Sequence, residues 1–236
     1  MTQCFASKRL IYSGIFLIMR SMKNMNDTTW QLKPSERKHS ERPILFSGPM
    51  VLAILNGTKT QTRRALKVQP IDVIPAPKVG GWVGLMQREP EPKGILFHCK
   101  YGKPGDRLWV RENFSGPHYQ SKTAPKDWSD SDPIWYWADG NPECGDWTKP
   151  KPSIHMPRWA SRITLEITSV RVERLQDISE QDALNEGITY NDMPNNGLDP
   201  MRARKFFSGL WKSINWPGSW DENPWVWAVE FERVTT

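Results

Sequence analysis

The chain has 236 residues and a net charge of +6, and only 38% of it is hydrophobic, but 13 Trp and 8 Phe supply large apolar side chains. This aromatic content favours a folded domain with a real core. Three widely separated Cys and four His without ligand spacing predict neither a disulfide framework nor a metal site. We therefore expect no cofactor and a reducing, cytoplasmic setting.

The positive charge is concentrated at the N-terminal end. Residues 1–42 hold eight Lys or Arg against three Asp or Glu, whereas the rest of the chain holds 24 against 23. Nucleic-acid binding by the body of the protein would therefore need a local basic patch, such as Lys59, Arg63, Arg64 and Lys67. Twenty Pro and 16 Gly interrupt the chain often, which favours short strands and loops. We predict a mixed α+β fold.

The first 41 residues are predicted to be a poorly ordered extension. Residues 10–19 are apolar and follow Lys8 and Arg9, as in a signal peptide, but they are too short to span a bilayer and no cleavage site follows. We interpret residues 1–25 as an upstream extension that folds poorly, with a membrane-surface segment as the alternative. Residues 26–41 are polar and charged, as in a linker.

The predicted domain covers residues 42–236 and opens with a strand at residues 43–47. Ser47 and Pro49 then predict the start of a short helix, because Ser can cap a helix and Pro suits its first turn. Asn56-Gly57 predicts its end, because Gly tolerates the left-handed conformation that follows a last turn.

Residues 57–64, Gly-Thr-Lys-Thr-Gln-Thr-Arg-Arg, are dense in reactive and charged side chains. In an extended chain, alternate side chains point in opposite directions. Lys59, Gln61 and Arg63 would then lie on one face, and Thr60, Thr62 and Arg64 on the other. In a turn, Lys59 and Thr62 could face one cavity instead. A solvated basic turn without function is a further alternative.

Two loop-rich insertions are expected near residues 68–100 and 115–160, the first with a hairpin at Gly80-Gly81 and the second with a strand at residues 134–138. Between them, a Pro-Gly-Asp turn precedes a strand at residues 107–114. The clearest strand covers residues 162–173, where apolar and polar side chains alternate.

A capping box is predicted at residues 179–182, Ser-Glu-Gln-Asp, with Gly187 ending the helix that follows. Glu186 then falls in the last turn, where the helix dipole disfavours a carboxylate, and this misplaced charge hints at function. A second helix at residues 202–214 and a strand at residues 225–231 complete the elements. In the intervening loop, Trp216 and Trp220 are candidates for stacking on bases, with hydrophobic packing as the alternative.

These features together resemble the ASCH domain, a PUA-like small β-barrel, and more loosely the ASCH-type proteins of phages and prophages. The resemblance rests on Gly-x-Lys-Thr-x-Thr-Arg after a short helix, the Pro-Gly-Asp turn before a strand, the Glu-bearing helix after a long strand, and the final Val-Glu-Phe strand. It covers residues 42–234 apart from the two insertions.

The resemblance implies a cleft that accepts RNA or a nucleobase. One ASCH branch, the N4-acetylcytidine amidohydrolases, uses a Lys, a Thr three residues later and a Glu after the long strand, which correspond here to Lys59, Thr62 and Glu186. Lys59 would act as general base, Thr62 would attack the amide carbonyl, and Glu186 would orient Lys59 or carry its proton. Arg63 or Arg64 could hold a phosphate or a developing oxyanion, with Thr60 as a further contact.

Three functions follow as hypotheses. The first is recognition of RNA or a modified nucleobase or nucleoside without turnover, the second is hydrolysis of an acylated cytidine, and the third is a phage accessory role through a protein partner. The expected partner under the first two is RNA or a nucleoside or nucleotide, with no metal and no membrane.

Overall fold

The computed structural model of the chain describes residues 39–77, 80–87, 93–188 and 202–234. The expectations for the apolar run at residues 10–19, and for all but the end of the linker, lie outside these residues. The first strand begins at Glu41, at the expected domain boundary.

Strands dominate the described part of the chain, as a mixed α+β fold requires. The strands are β1 (Glu41–Leu45), β2 (Gln61–Ala65), β3 (Asp72–Ala76), β4 (Gly81–Met86), β5 (Lys93–Phe97), β6 (Arg107–Arg111), β7 (Phe114–Ser115), β8 (Trp135–Tyr136), β9 (Thr164–Arg174) and β10 (Trp225–Arg233). The α-helices are α1 (Gly48–Leu55), α2 (Glu180–Asn185) and α3 (Arg202–Ile214). The predicted α+β class is therefore confirmed.

Residues 39–66 and 99–234 form one compact unit, built on a five-stranded sheet in the order β1-β6-β9-β10-β2. β1 pairs parallel to β6, and each of the other neighbours pairs antiparallel. The pairing of β9 with β10 is the longest and contains a register shift at Glu230/Phe231. β1 and β2 are the outer strands of this order, and among the described strands no pairing closes the sheet into a barrel.

The alternation predicted in β9 is observed, because Ile163, Leu165 and Ile167 are buried while Thr164 and Glu166 are partly exposed. The predicted strand at residues 134–138 is shorter, since only Trp135 and Tyr136 pair with β7. The chain then turns, and the Trp137 indole donates a hydrogen bond to the Ser115 hydroxyl instead of continuing a ladder.

The three helices lie where the sequence predicts, but Ser47 makes no side-chain capping hydrogen bond at α1, and Glu186 is the C-cap of α2 and not part of its last turn. α1 has Pro49 in its first turn and Asn56 as its C-cap, and Gly57 follows with φ of 74°. At α2, the Ser179 hydroxyl accepts from the Asp182 amide at 3.0 Å and Asp182 accepts from the Ser179 amide, so that the predicted capping box is present. Helix α3 covers the predicted range.

Helices α2 and α3 pack on one core cluster. Its buried side chains come from the end of β9, both helices and β10, and they are Leu175, Ile178, Ala183, Ile188, Ala203, Phe207, Trp211 and Val226. A second cluster lies under the loops of residues 114–160, where Phe114 packs edge-on against Trp128 with ring centroids 5.7 Å apart. These two clusters fix the positions of the segments that surround the candidate site.

Residues 67–98 belong to a separate compact unit, in which β3, β4 and β5 form an antiparallel sheet. The hairpin predicted at Gly80-Gly81 is present as the β3–β4 connection, with Ala76 opposite Gly81 and φ of 67° at Gly80. In the part of the chain that is described, no helix has the length and apolar character needed to cross a membrane.

Candidate functional site

Lys59 and Glu186 form an enclosed ion pair, although 126 residues separate them in sequence. The Lys59 Nζ donates to Glu186 Oε2, to the Glu186 carbonyl and to the Gln61 carbonyl, each at 2.8 Å. The Lys59 side chain is 0% exposed and that of Glu186 is 4% exposed. Three acceptors match the three N–H groups of an ammonium ion, so the amine is satisfied within the fold.

The ends of two helices bring these residues together. The backbone amide of Lys59 donates to Ala53 in α1, and Lys59 and Glu186 form an isolated antiparallel bridge just after α2. Gly187 has φ of 95°, and a Cβ at this position would lie 3.1 Å from the Cβ atoms of Ala53 and Lys59. The close approach therefore requires a glycine after Glu186.

Arg63 connects the same pair to two further carboxylates. Its guanidinium lies 3.2 Å from Glu186 Oε1, 2.6 Å from Glu173 Oε1 and 3.2 Å from Asp182 Oδ2. The Arg63 side chain is 0% exposed, so these acids neutralise a buried charge. Gln61 joins the network by donating to Asp182 at 3.0 Å, and we call Lys59, Gln61, Arg63, Glu173, Asp182 and Glu186 the charge cluster.

Two pKa values in the charge cluster are shifted. Burial lowers the pKa of the Lys59 ammonium, and the opposing attraction of Glu186 does not restore it. Burial alone would raise the pKa of Asp182, but hydrogen bonds from Gln61 and Ser179 and the charge of Arg63 lower it below its usual range. Lys59 is therefore easier to deprotonate than a free lysine, and Asp182 is harder to protonate than a free aspartate.

Acid is expected to destabilise the fold through Asp182. Because its folded pKa is below that of the unfolded chain, its stabilising contribution is complete above about pH 4 and is lost as the pH falls through the lower folded pKa. Urea unfolding across the acid range measures this loss. The free energy of unfolding should fall less steeply with decreasing pH in Asp182→Asn than in the wild type. Parallel plots of unfolding free energy against pH for the two proteins would contradict a role of Asp182 in the acid sensitivity.

A cavity of about 380 Å³ lies beside the charge cluster. Its lining comes from the end of β1 and the start of α1, from strand β2, from the position after α2, from α3 and the residue that follows it, and from two loop positions. The lining residues are Leu45, Phe46, Ser47, Met50, Thr62, Arg63, Arg64, Ala65, Asn113, Ser153, Glu186, Phe207, Leu210, Trp211, Ile214 and Asn215. The volume lies within the range of small-molecule sites, and the mixture of aromatic and convergent polar groups is typical of them.

The candidate catalytic residues occupy different positions relative to this cavity. Thr62 and Glu186 line it, whereas Lys59 lies behind Glu186 and is not part of the lining. Residues 61–65 are extended, as in the first of the two conformations considered for this segment. The described residues provide no hydrogen-bond partner for the Thr62 hydroxyl, and Lys59 donates its three hydrogen bonds elsewhere.

The candidate binding residues also separate into two groups. Arg63 and Arg64 line the cavity, but Thr60 is exposed outside it. Trp220 packs edge-on against Phe207, with ring centroids 6.2 Å apart, as in the hydrophobic alternative. Trp216 is 51% exposed and its indole lies 3.3 Å from Glu222 Oε1, so neither Trp lines the cavity.

The aromatic lining comes instead from Phe46, Phe207 and Trp211. Phe207 and Trp211 belong to the predicted helix α3, and both are buried. Helical periodicity cannot distinguish a core side chain from one that also borders a cavity, and Phe46 carries no motif. These residues therefore had no sequence signal for a site.

No metal centre is present among the described residues, where no group of three or more His, Cys, Asp or Glu side chains could hold an ion. Comparisons of the chain with protein-family models, with curated proteins and with solved structures gave no match. The similarity to the ASCH domain therefore stays a prediction from the motifs in the sequence.

Proposed function

We propose that this chain is an ASCH-type module that binds a nucleobase, either in a nucleoside or in RNA, within the cavity beside the charge cluster. The main support for this proposal is the set of residues that line the cavity. Phe46, Phe207 and Trp211 provide aromatic surface, and Thr62 and Glu186 provide polar groups at the same cavity. Bases are bound in proteins by stacking on aromatic rings together with hydrogen bonds to their edges.

The charge cluster supports this function by holding Glu186 still. Glu186 receives hydrogen bonds from Lys59 and Arg63, one on each carboxylate oxygen, so its position is fixed before a ligand arrives. A preorganised acceptor loses little conformational entropy on binding. Lys59 is thus a positioning residue in this proposal, and Glu186 is the member of the pair that meets the ligand.

The PUA-like fold is part of the same proposal. It is supported by the order of elements, in which the Lys-bearing segment follows a short helix and the Glu-bearing helix follows the long strand β9. A mixed sheet with short helices agrees with it. Fold similarity alone does not define a function, so the test must address the cavity.

Thr62→Val is expected to weaken nucleoside binding by about tenfold, because it removes one hydroxyl while keeping the side-chain shape. Isothermal titration calorimetry of the full chain with each of the four ribonucleosides, and with N4-acetylcytidine, measures the affinity. Thr60→Val is the matched control, since Thr60 lies on an adjoining part of the same segment but outside the cavity.

The control variant should bind as the wild type does. Equal losses in both threonine variants would mean that the cavity is not the binding site. No binding of any of the five nucleosides by the wild type, together with no binding of single-stranded RNA, would refute the proposal.

Amidohydrolysis is the second candidate, favoured by one observation: Thr62 and Glu186 line the same cavity. Thr62 would attack the acyl carbonyl of a modified cytidine and lose its proton to Glu186, which Lys59 and Arg63 hold in place. The carbonyl carbon–N4 bond would then break, Glu186 would return the proton to the departing cytidine amine, and water would hydrolyse the acyl-threonine to the free acid and Thr62. Lys59 would act on this step through Glu186, since it is not part of the lining.

Chromatography of N4-acetylcytidine after incubation with the full chain separates the two candidates. Release of cytidine that is lost in Thr62→Val and kept in Thr60→Val would establish hydrolysis. Binding of the nucleoside without release of cytidine would leave recognition as the function.

A further inference from the structure

We propose that Arg64, together with Ser47, forms an anion subsite at the mouth of the cavity, so that the ligand is a phosphorylated nucleoside. The phosphate could belong to a free nucleotide or to an RNA strand. This inference rests on the proposed function and names the class of ligand for the same site.

The two neighbouring arginines differ in how their charges are neutralised. Arg63 is surrounded by Glu173, Asp182 and Glu186 at 2.6–3.2 Å, so its charge is already compensated. Arg64 forms no ion pair with an acid in the described part of the chain. An arginine fork that has no carboxylate partner is the protein group best suited to a phosphate.

Arg64 is also held in position without being saturated. One guanidinium nitrogen donates to the Leu45 carbonyl at 2.6 Å, and the guanidinium lies 5.3 Å from the centre of the Phe46 ring. Its Nε is shielded from solvent, so a ligand does not reach that atom. The second terminal nitrogen makes no hydrogen bond to a described residue and is not shielded in this way, so it is free to donate to a ligand oxygen.

The Arg64 side of the cavity favours an anion. The charged lining residues are Arg63, Arg64 and Glu186, and of these Arg63 and Glu186 are paired with each other and with other members of the charge cluster. The charge of Arg64 is therefore the one that no described acid balances. A neutral nucleoside would leave this charge unused, whereas a phosphate would pair with it.

Thr62 and Arg64 are two residues apart in β2, so their side chains share a face, and a base at Thr62 would place its phosphate near Arg64. Ser47 also lines the cavity and follows Leu45 and Phe46, which Arg64 contacts. Ser47 is at the N-terminus of α1 and its side chain makes no capping hydrogen bond. The start of this helix adds positive potential beside Arg64.

This side of the cavity is open to solvent. Leu45 and Ser47 are exposed on this side, whereas Phe207 and Trp211 are buried; Ile214, at the end of α3, is a second exposed part of the lining. A ligand with its base among the aromatic side chains would carry its phosphate near Arg64, where an RNA strand could continue into solvent. The arrangement therefore suits both a mononucleotide and a nucleotide within a strand.

Calorimetry of the full chain with each ribonucleoside and its 5′-monophosphate tests the inference. In the wild type the monophosphate should bind about tenfold more tightly than the nucleoside. In Arg64→Gln the preference should be lost, so that the monophosphate binds no more tightly than the nucleoside does to the same variant. Lys205→Gln removes the same charge from an exposed position of α3 outside the cavity, and it should keep the wild-type preference.

The outcomes separate this inference from the proposed function. Equal affinities for nucleoside and monophosphate in the wild type, or a preference that survives Arg64→Gln, would overturn the anion subsite and leave base recognition standing. Absence of binding by every nucleoside and monophosphate would overturn both. A dinucleotide that binds more tightly than the monophosphate would identify a strand as the source of the phosphate, and the reverse order would identify a free nucleotide.

A second measurement keeps the test valid if Arg64→Gln does not fold. The wild-type preference for the monophosphate should shrink when salt rises from about 0.1 M to about 1 M, because the Debye length falls from about 10 Å to about 3 Å. A preference that does not change with salt would contradict a charge-based subsite.

Discussion

Replacing Glu186 with alanine is expected to lower the free energy of unfolding by about 3–5 kcal/mol, because it leaves a fully buried ammonium without its counter-ion. The Lys59 side chain is 0% exposed, and its ammonium donates to Glu186 Oε2 and to the carbonyls of Glu186 and Gln61. The substitution removes the carboxylate and leaves the two backbone carbonyls. Arg63 loses one of its three acidic partners in the same substitution.

Urea unfolding at neutral pH measures this effect. Glu166→Ala is the matched control, since Glu166 pairs with Arg107 at 3.5 Å on the surface and exposed pairs contribute about 0–1 kcal/mol. Adding Lys59→Met to Glu186→Ala should recover part of the loss, because it removes the unpaired charge. A Glu186→Ala protein as stable as the control would mean that the pair is not enclosed.

The neighbouring arginines are expected to respond very differently to the same substitution. Arg63→Gln should cost about 3–5 kcal/mol of unfolding free energy, since Glu173, Asp182 and Glu186 would lose a shared buried partner. Arg64→Gln should cost about 1–2 kcal/mol, because Arg64 makes one hydrogen bond to Leu45 and one stacking contact with Phe46.

Denaturant unfolding and nucleotide titration of both variants compare their stability and their preference for a phosphate. The stability should fall mainly in Arg63→Gln, and the preference for a phosphate should fall mainly in Arg64→Gln. Comparable stability losses in the two variants would contradict the division of roles between the arginines.

The helices were predictable because their ends are marked by local chemistry. Asn56-Gly57 ends α1 and Gly187 follows α2, both glycines with positive φ, and the Ser179–Asp182 capping box starts α2 as its spacing indicates. Such signals act within a few residues, so no knowledge of distant parts of the chain is needed to recognise them.

The candidate site was predictable only in part. The alternation of side chains in an extended segment anticipated that Thr62 and Arg64 share a face of β2, opposite to Gln61 and Arg63. The sequence did not decide between an extended segment and a turn, because that choice depends on the pairing of β2 with β10. Once the strand is formed, Lys59 lies behind Glu186.

The cavity itself could not be predicted, because it arises where separate elements meet. Phe46 follows β1, while Phe207 and Trp211 belong to α3, about 160 residues later in the chain, and Asn113 and Ser153 come from loops. Taken by itself, each residue has an ordinary place in the chain: next to the end of a strand, on the buried face of a helix, or in a loop. Their convergence is a tertiary property.

The candidate site combines a rigid charged support with an open cavity. The charge cluster fixes Glu186 from behind, the aromatic side chains border the space in front, and Arg64 remains available at the mouth. A protein that holds its polar groups in place before binding can discriminate among similar bases. We propose that these three groups have separate roles in binding: the charge cluster positions Glu186, the aromatic side chains stack on the base, and Arg64 contacts the phosphate.

Chemical-shift mapping of the full chain during titration with ribonucleoside 5′-monophosphates tests that claim most directly. We predict that the largest changes occur at the amides of Thr62 and Arg64 and at the Trp211 indole, with little change at the Trp216 indole. Changes concentrated at Trp216, or in residues 67–98, would place the ligand elsewhere and contradict the account.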